Sequence, residues 1–188
     1  YQTGDSVIME VLEDLKKEGV IGAIGMGGWL CDTNAQLANT GRFDVVLQAG
    51  GMSLLSSPIL DEVIPACKKY DVGVIVGGVL GQGRPELIVK NRERASALME
   101  SDDENERIYG TKLNTLYDIS DELDISMPEL AIRFVLAFEE IHVNIPGARE
   151  VKHLESNLEA VGKGPLPDKY VKRIRDLQNR YKSKSFAY

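Results

Sequence analysis

Cysteine, histidine and tryptophan are scarce in this chain of 188 residues: two, two and one. Cys31 and Cys67 lie far apart in the sequence, without the paired short spacings of a zinc site, so no metal centre is expected. They read as free thiols in a reducing, cytoplasmic setting, because a disulfide would require an oxidising compartment. Basic residues are outnumbered too: 22 Lys+Arg against 29 Asp+Glu give a net charge of −7. That balance argues against a nucleic-acid partner, whose phosphates need clustered cations. Long apolar runs are missing. The longest, Gly73 to Gly81, is strand-sized, well below the roughly 18 residues of a membrane span. What remains is ordinary: 43% apolar and 27% charged residues, with Ile, Leu and Val spread throughout. A single soluble domain over residues 1–188 is the expectation.

The chain alternates helix and strand patterns. Val7 to Lys17 reads as a helix with Val7, Val11, Leu12 and Leu15 on one face, ended by Gly19. Val20 to Met26 predicts a strand, Thr33 to Asn39 a helix, and Asp44 to Gln48 a strand whose continuous apolar run suits a sheet covered on both faces. Pro58 to Tyr70 is helical and Gly73 to Val79 is the third strand. A polar insert from Leu80 to about Arg107 ends in the acidic run Asp102 to Glu106, expected as a solvated loop. Ile108 to Glu122 returns to helix. Ser126 and Glu129 form a capping-box pattern opening the next helix, to about Phe138. His142 to Ile145 is the fourth strand, and helices at Val151–Val161 and Lys169–Tyr181 follow. Short connections between alternating elements predict a parallel sheet with right-handed crossovers.

An open doubly wound sheet and a set of barrel (β/α) units both fit this rhythm. A dinucleotide-binding doubly wound fold would carry Gly-x-Gly-x-x-Gly after its first strand. Gly25-Met26-Gly27-Gly28 lacks the third glycine of that pattern. The small residues cluster instead at strand ends, where barrels place their functional groups: Gly27-Gly28-Trp29, Gln48 to Gly51, Gly81-Gln82-Gly83-Arg84, and Asn144 to Arg149.

Those strand ends resemble the second half of an aldo-keto reductase. Leu15 to Gly25 is similar to the approach to the family's fifth strand. Pro128 to Leu136 resembles the helix before the eighth strand, and Ile145-Pro146-Gly147-Ala148-Arg149 with Leu154 to Asn157 resembles the family's closing signature. Gly77-Gly78-Val79-Leu80 is similar to the aldose and galactose dehydrogenase branch. The resemblance implies α/β architecture of TIM-barrel type, strands five to eight plus C-terminal helices, with the N-terminal half absent from this sequence. A complete barrel of this type runs to about 250 residues.

The resemblance also implies a site for NAD or NADP. Gln48 would hold the nicotinamide carboxamide, Gly81, Gln82, Gly83 and Arg84 would follow the pyrophosphate, and Ala148, Arg149, His153 and Asn157 would surround the adenosine end. Trp29 is a candidate wall of the substrate pocket. Three departures stand out: Gly27-Gly28 occupies the place of the family's carboxamide-binding Ser-Asn, Gly77 matches the aromatic that stacks on nicotinamide in many members, and Gly147 and His153 match its 2′-phosphate-gripping Lys and Arg. The family's catalytic Asp, Tyr, Lys and His lie on its first four strands. The resemblance places them upstream of Tyr1, with Tyr1 to Gly4 as the loop after the fourth strand, so no catalytic residue is expected in this sequence. His142, at a strand start, reads as structural. The implied function is NAD(P)-dependent interconversion of an aldehyde or aldose and an alcohol, this chain supplying the cofactor half and lacking activity alone. The alternatives are a non-catalytic half-barrel, binding nucleotide or pairing with a second copy or an N-terminal half, and an unrelated open α/β binding protein.

Overall fold

The computed structural model describes residues 7–81 and 83–182. Element order is α1 (Val7–Lys17), β1 (Gly25–Gly28), α2 (Cys31–Ala38), β2 (Val45–Ala49), α3 (Ile59–Tyr70), β3 (Gly73–Gly77), a 3-10 turn (Pro85–Leu87), α4 (Arg92–Met99), α5 (Glu104–Glu122), α6 (Met127–Val135), β4 (Val143–Ile145), α7 (Val151–Gly162) and α8 (Asp168–Arg180). The loop expected at Tyr1 to Gly4 lies outside the described residues. The chain divides into two compact units.

The first unit holds α1 to α3 and all four strands. The strands pair in parallel in the order β1-β2-β3-β4. Gly28 lies opposite Gln48, and Gln48 opposite Val76. Side chains alternate across a strand, and the burial follows: Val46, Gln48, Val74 and Val76 are fully buried. Val45, Leu47 and Ile75 are half-buried on the opposite face. Asp44 ties the lower ends of three strands. Its carboxylate accepts from Ile24 N at 2.7 Å, its amide donates to Ile24 O, and its carbonyl accepts from Gly73 N. His142 does the same at the last strand, where its Nδ1 accepts from Val74 N at 3.0 Å.

The strand expected over Val20–Met26 begins only at Gly25. Val20 N and Ile21 N both donate to Leu15 O, so these residues close the turn after α1 instead. Both cysteines are free and buried. Desolvation pushes their thiols up, Cys31 to about 12 and Cys67 to about 11.

The second unit contains α4 to α8 and the segment Ser53–Ser56. The polar insert is largely structured. Asn91 caps α4 by accepting from Arg94 N, and Ala95 and Leu98 turn inward. The acidic run is solvent-exposed as expected but only its first part is loop: Asp102 and Asp103 precede α5, Asp103 caps it by accepting from Asn105 N and Glu106 N, and Glu104 to Glu106 form its first turn. Carboxylates in a first turn face the positive end of the helix dipole, which favours this earlier start. Half of the capping box at α6 forms. Ser126 accepts from Glu129 N, but the Glu129 carboxylate pairs with Arg133 and Lys163 at 3.1 and 2.8 Å.

Among the described residues no helix is long and apolar enough to cross a membrane, and no group of side chains is arranged to hold a metal ion.

Candidate functional site

In the first unit, Gln48 is the next-to-last residue of β2, with its side chain fully buried. Its Oε1 accepts from Asn34 Nδ2 at 2.7 Å, and its Nε2 donates to Trp29 O at 2.9 Å. Asn34 is itself 2% exposed and also donates to Gly28 O at 3.2 Å. The Trp29 backbone carbonyl therefore belongs to this amide cluster, while the residue as a whole is 66% exposed. Gly51 (φ +72°) closes the cluster, since a Cβ there would meet Cys31 Sγ at 2.8 Å.

In the second unit, Gly81 and Gly83 both have left-handed backbones (φ +87° and +88°). A Cβ on Gly81 would stand 2.3 Å from Leu87, whereas Gly83 faces open space. Arg84 N donates to Gly81 O, closing the turn. The Arg84 guanidinium lies 5.2 Å from the Tyr109 ring centroid. Burial, then the nearby Glu86 carboxylate, pushes the Tyr109 phenol up to about 12. Gln82 lies outside the described residues, as does Tyr1, upstream of which the resemblance places the catalytic groups.

Ala148 and Arg149 are exposed on the stretch before α7, and His153 is exposed in its first turn. No hydrogen bond or ion pair engages the side chains of Arg149 or His153 among the described residues. Asn157 differs from both. It is buried at 6% exposure, and its Nδ2 has no hydrogen-bond partner among the described residues. A buried amide hydrogen left unpaired is costly and rare in a folded chain. A groove of about 310 Å³ between α5 and α8, lined by Thr115 and a face of α8, contains none of these candidates.

Residues 3–179 match the aldo/keto reductase family. The chain belongs to that family. It is 26% identical over 155 residues to a D-threo-aldose 1-dehydrogenase from a Pseudomonas species, covering 79% of this chain and 44% of that protein. It is 24% identical over 184 residues to the norsolorinic acid reductase of Aspergillus flavus, covering 95% of this chain and 46% of the reductase. The chain thus spans about half the length of the curated relatives it matches. Among solved structures, the glycerol dehydrogenase of Gluconobacter oxydans superposes with TM-score 0.68 at 18% identity, over 95% of this chain and 55% of that one. The holo form of an aldo-keto reductase from Bacillus halodurans gives 0.63 at 18% identity, over 90% and 54%. These two show a shared fold.

Within this aldo/keto reductase chain, sequence reasoning overlooked Asn34. An asparagine inside a helix reads as a solvated face. The pointer was the glycine pair at 27–28, which leaves the end of β1 without side chains.

Proposed function

We propose that this chain is the cofactor-binding, C-terminal half of a (β/α)8 barrel, a single domain serving an NAD(P)-dependent oxidoreductase. Its reaction interconverts a carbonyl of the aldehyde or aldose class and an alcohol, in the cytoplasm. The catalytic groups would come from the N-terminal half, upstream of Tyr1. Family membership and the aldose dehydrogenase relative support the reaction class. Two free, buried thiols suit a reducing compartment.

The observation that carries the cofactor reading is Asn157, a buried amide with an unpartnered nitrogen on the helix that follows the last strand. An adenine ring nitrogen would satisfy it. Ala148, Arg149 and His153 precede it and leave accessible side chains for the ribose and its phosphate. The left-handed turn at Gly81 and Gly83, with Gln82 and Arg84, would follow the pyrophosphate by backbone N–H groups and one guanidinium. Gln48 would hold the carboxamide, and Trp29 would wall the substrate side. A bound nicotinamide supplies or accepts the hydride; these residues bind and orient it. NAD and NADP are both compatible with His153 and Lys152.

Titration of the chain with NADH, followed by nucleotide fluorescence, tests this reading. Saturable binding supports it, and no change at about 1 mM NADH, a binding energy of only about 4 kcal/mol, sinks it.

A second reading, pairing with an N-terminal half or a second copy, is favoured by exposed apolar surface in each unit. On α1, Val7, Ile8 and Val11 are 74%, 55% and 51% exposed, and on α7 the stripe Val151, Leu154, Leu158 and Val161 is 49% to 71% exposed. The two edge strands also lack a neighbour on one side among the described residues. Sedimentation at increasing concentration tests the self-pairing form, and a constant monomer mass argues against it.

A further inference from the structure

We propose that the groove between α5 and α8 is a separate ligand site, shaped for a phosphorylated sugar or polyol. The proposal does not rest on the cofactor reading above.

One face of α8 supplies the charge of the groove. Lys169, Lys172, Arg173, Asp176 and Arg180 recur at intervals of three and four residues, which stacks them along a single helix face. Four cations and one carboxylate therefore line a concave volume of about 310 Å³, in a chain whose net charge is −7. Small-ligand pockets begin at roughly 300 Å³. Cations gathered in a cleft against the overall sign of the chain make a local field that draws anions.

The fold does not use up these cations. Lys172 and Arg180 make no hydrogen bond or ion pair among the described residues, although Asp176 stands four residues from each. Lys169 meets the Tyr170 ring, its Nζ 4.6 Å from the centroid. Arg173 is anchored, because its Nη1 donates to Glu122 Oε1 at the end of α5 at 2.6 Å. Exposed pairs of this kind add little to stability. This one fixes the guanidinium between the two helices and leaves most of its N–H donors for an anion.

The rest of the lining points to more than a bare phosphate. Leu177, 6% exposed, is an apolar patch in the wall. Thr115 on α5 spends its hydroxyl hydrogen on Thr111 O at 3.0 Å, so its oxygen is left as an acceptor. The Asp176 carboxylate is an acceptor as well. A free phosphate has no use for two acceptors and is repelled by one of them. A phosphate carried on a polyol uses all three kinds of group. Its oxygens take charge-assisted bonds from the cations, its hydroxyls donate to Asp176 and Thr115, and its C–H face lies on Leu177.

Calorimetric titration of the chain at about 0.15 M salt, with glucose 6-phosphate, inorganic phosphate and glucose as probes, tests the proposal. Glucose 6-phosphate should bind saturably, about tenfold tighter than either of the others. Lys172→Gln and Arg180→Gln remove side chains that hold nothing in the fold, so their melting temperatures should match wild type while each binds about five- to tenfold more weakly. Lys68→Gln, which removes a lysine of α3 paired with Glu140, should bind as wild type does. Asp176→Asn decides the ligand class. It should weaken glucose 6-phosphate about fivefold and strengthen inorganic phosphate, because the carboxylate accepts from the sugar and repels the free anion. Tighter binding of both probes in Asp176→Asn marks a merely charged surface and overturns the proposal. Equal wild-type affinity for phosphate and glucose 6-phosphate overturns it, as does no saturation by about 10 mM glucose 6-phosphate.

Discussion

The ammonium of Lys112 on α5 donates to the carbonyl of Leu55 at 2.9 Å while the side chain is 2% exposed. Nearby, Gln178 Nε2 on α8 donates to the carbonyls of Ser53 and Leu54 at 2.9 and 3.1 Å. Two side chains from different helices thus hold three consecutive carbonyls of the Ser53–Ser56 segment. Desolvation lowers the Lys112 pKa from its ordinary 10.5 to about 8.

That shift sets a sign for the pH dependence of stability. The unfolded chain keeps the Lys112 proton up to about 10.5, whereas the folded chain releases it near 8. Between those values the unfolded state binds more protons, so this group makes stability rise with pH. Cys31 and Cys67 act in the opposite direction, because their thiol pKa values are raised on folding and their contribution is lost above about 9. The window between pH 8 and 9 therefore belongs to Lys112. Urea denaturation should show wild-type stability gaining about 1 kcal/mol across it relative to Lys112→Met. Parallel pH profiles for the two proteins would contradict the assignment.

Asp44 provides a second measurable tie. Its carboxylate accepts from Ile24 N and pairs with Lys16 Nζ at 2.5 Å, and both interactions lower its pKa. Asp44→Ala leaves the Ile24 amide without that acceptor and should cost about 1–2 kcal/mol by chemical denaturation. Because the carboxylate pKa falls on folding, its contribution is present above the ordinary carboxylate pKa and fades as pH drops through the folded value. The difference between wild type and Asp44→Ala should shrink in acid.

Gly110 tests the part of the fold that was hardest to read. It lies inside α5, where Gly→Ala ordinarily stabilises by about 1 kcal/mol. Here a Cβ would meet Ala95 O at 2.6 Å and Met99 N at 2.9 Å, both on α4. Backbone atoms cannot yield as side-chain ends do, so Gly110→Ala should destabilise by about 1–3 kcal/mol. A stabilised variant would mean that α4 does not pack there.

That same contact shows what the sequence conceals. Helices α1, α3 and α8 are legible because their apolar spacing is strong and their ends are marked by Gly19, Pro58 and the basic last turn. The central strands are legible because Val45–Leu47 and Val74–Val76 are uninterrupted apolar runs. Helix α4 buries only Ala95 and Leu98, too few for a periodic signal, and its partner is named by a glycine eleven or more residues away. The start of α5 is hidden because an acidic run that reads as solvated is also what a helix N-terminus favours. The candidate site divides in the same way. Strand-end glycines and Gln48 announce themselves by type. Asn34 acquires its meaning only where α2 brings it beside Gln48.

Asn157 separates stability from binding. Its unpartnered Nδ2 makes it a strained occupant of a buried position in the free chain. Asn157→Leu replaces the amide with an apolar group of similar size, so the free chain should be unchanged or up to about 1 kcal/mol more stable in urea. If the amide is kept for a ligand, the same substitution should weaken NADH binding about five- to thirtyfold, equivalent to about 1–2 kcal/mol. Opposite signs in the two measurements are the signature of a residue held for binding at the expense of folding. A variant that loses stability and binds NADH as well as wild type would place Asn157 among the packing residues of α7 and remove the adenosine end from the proposed site.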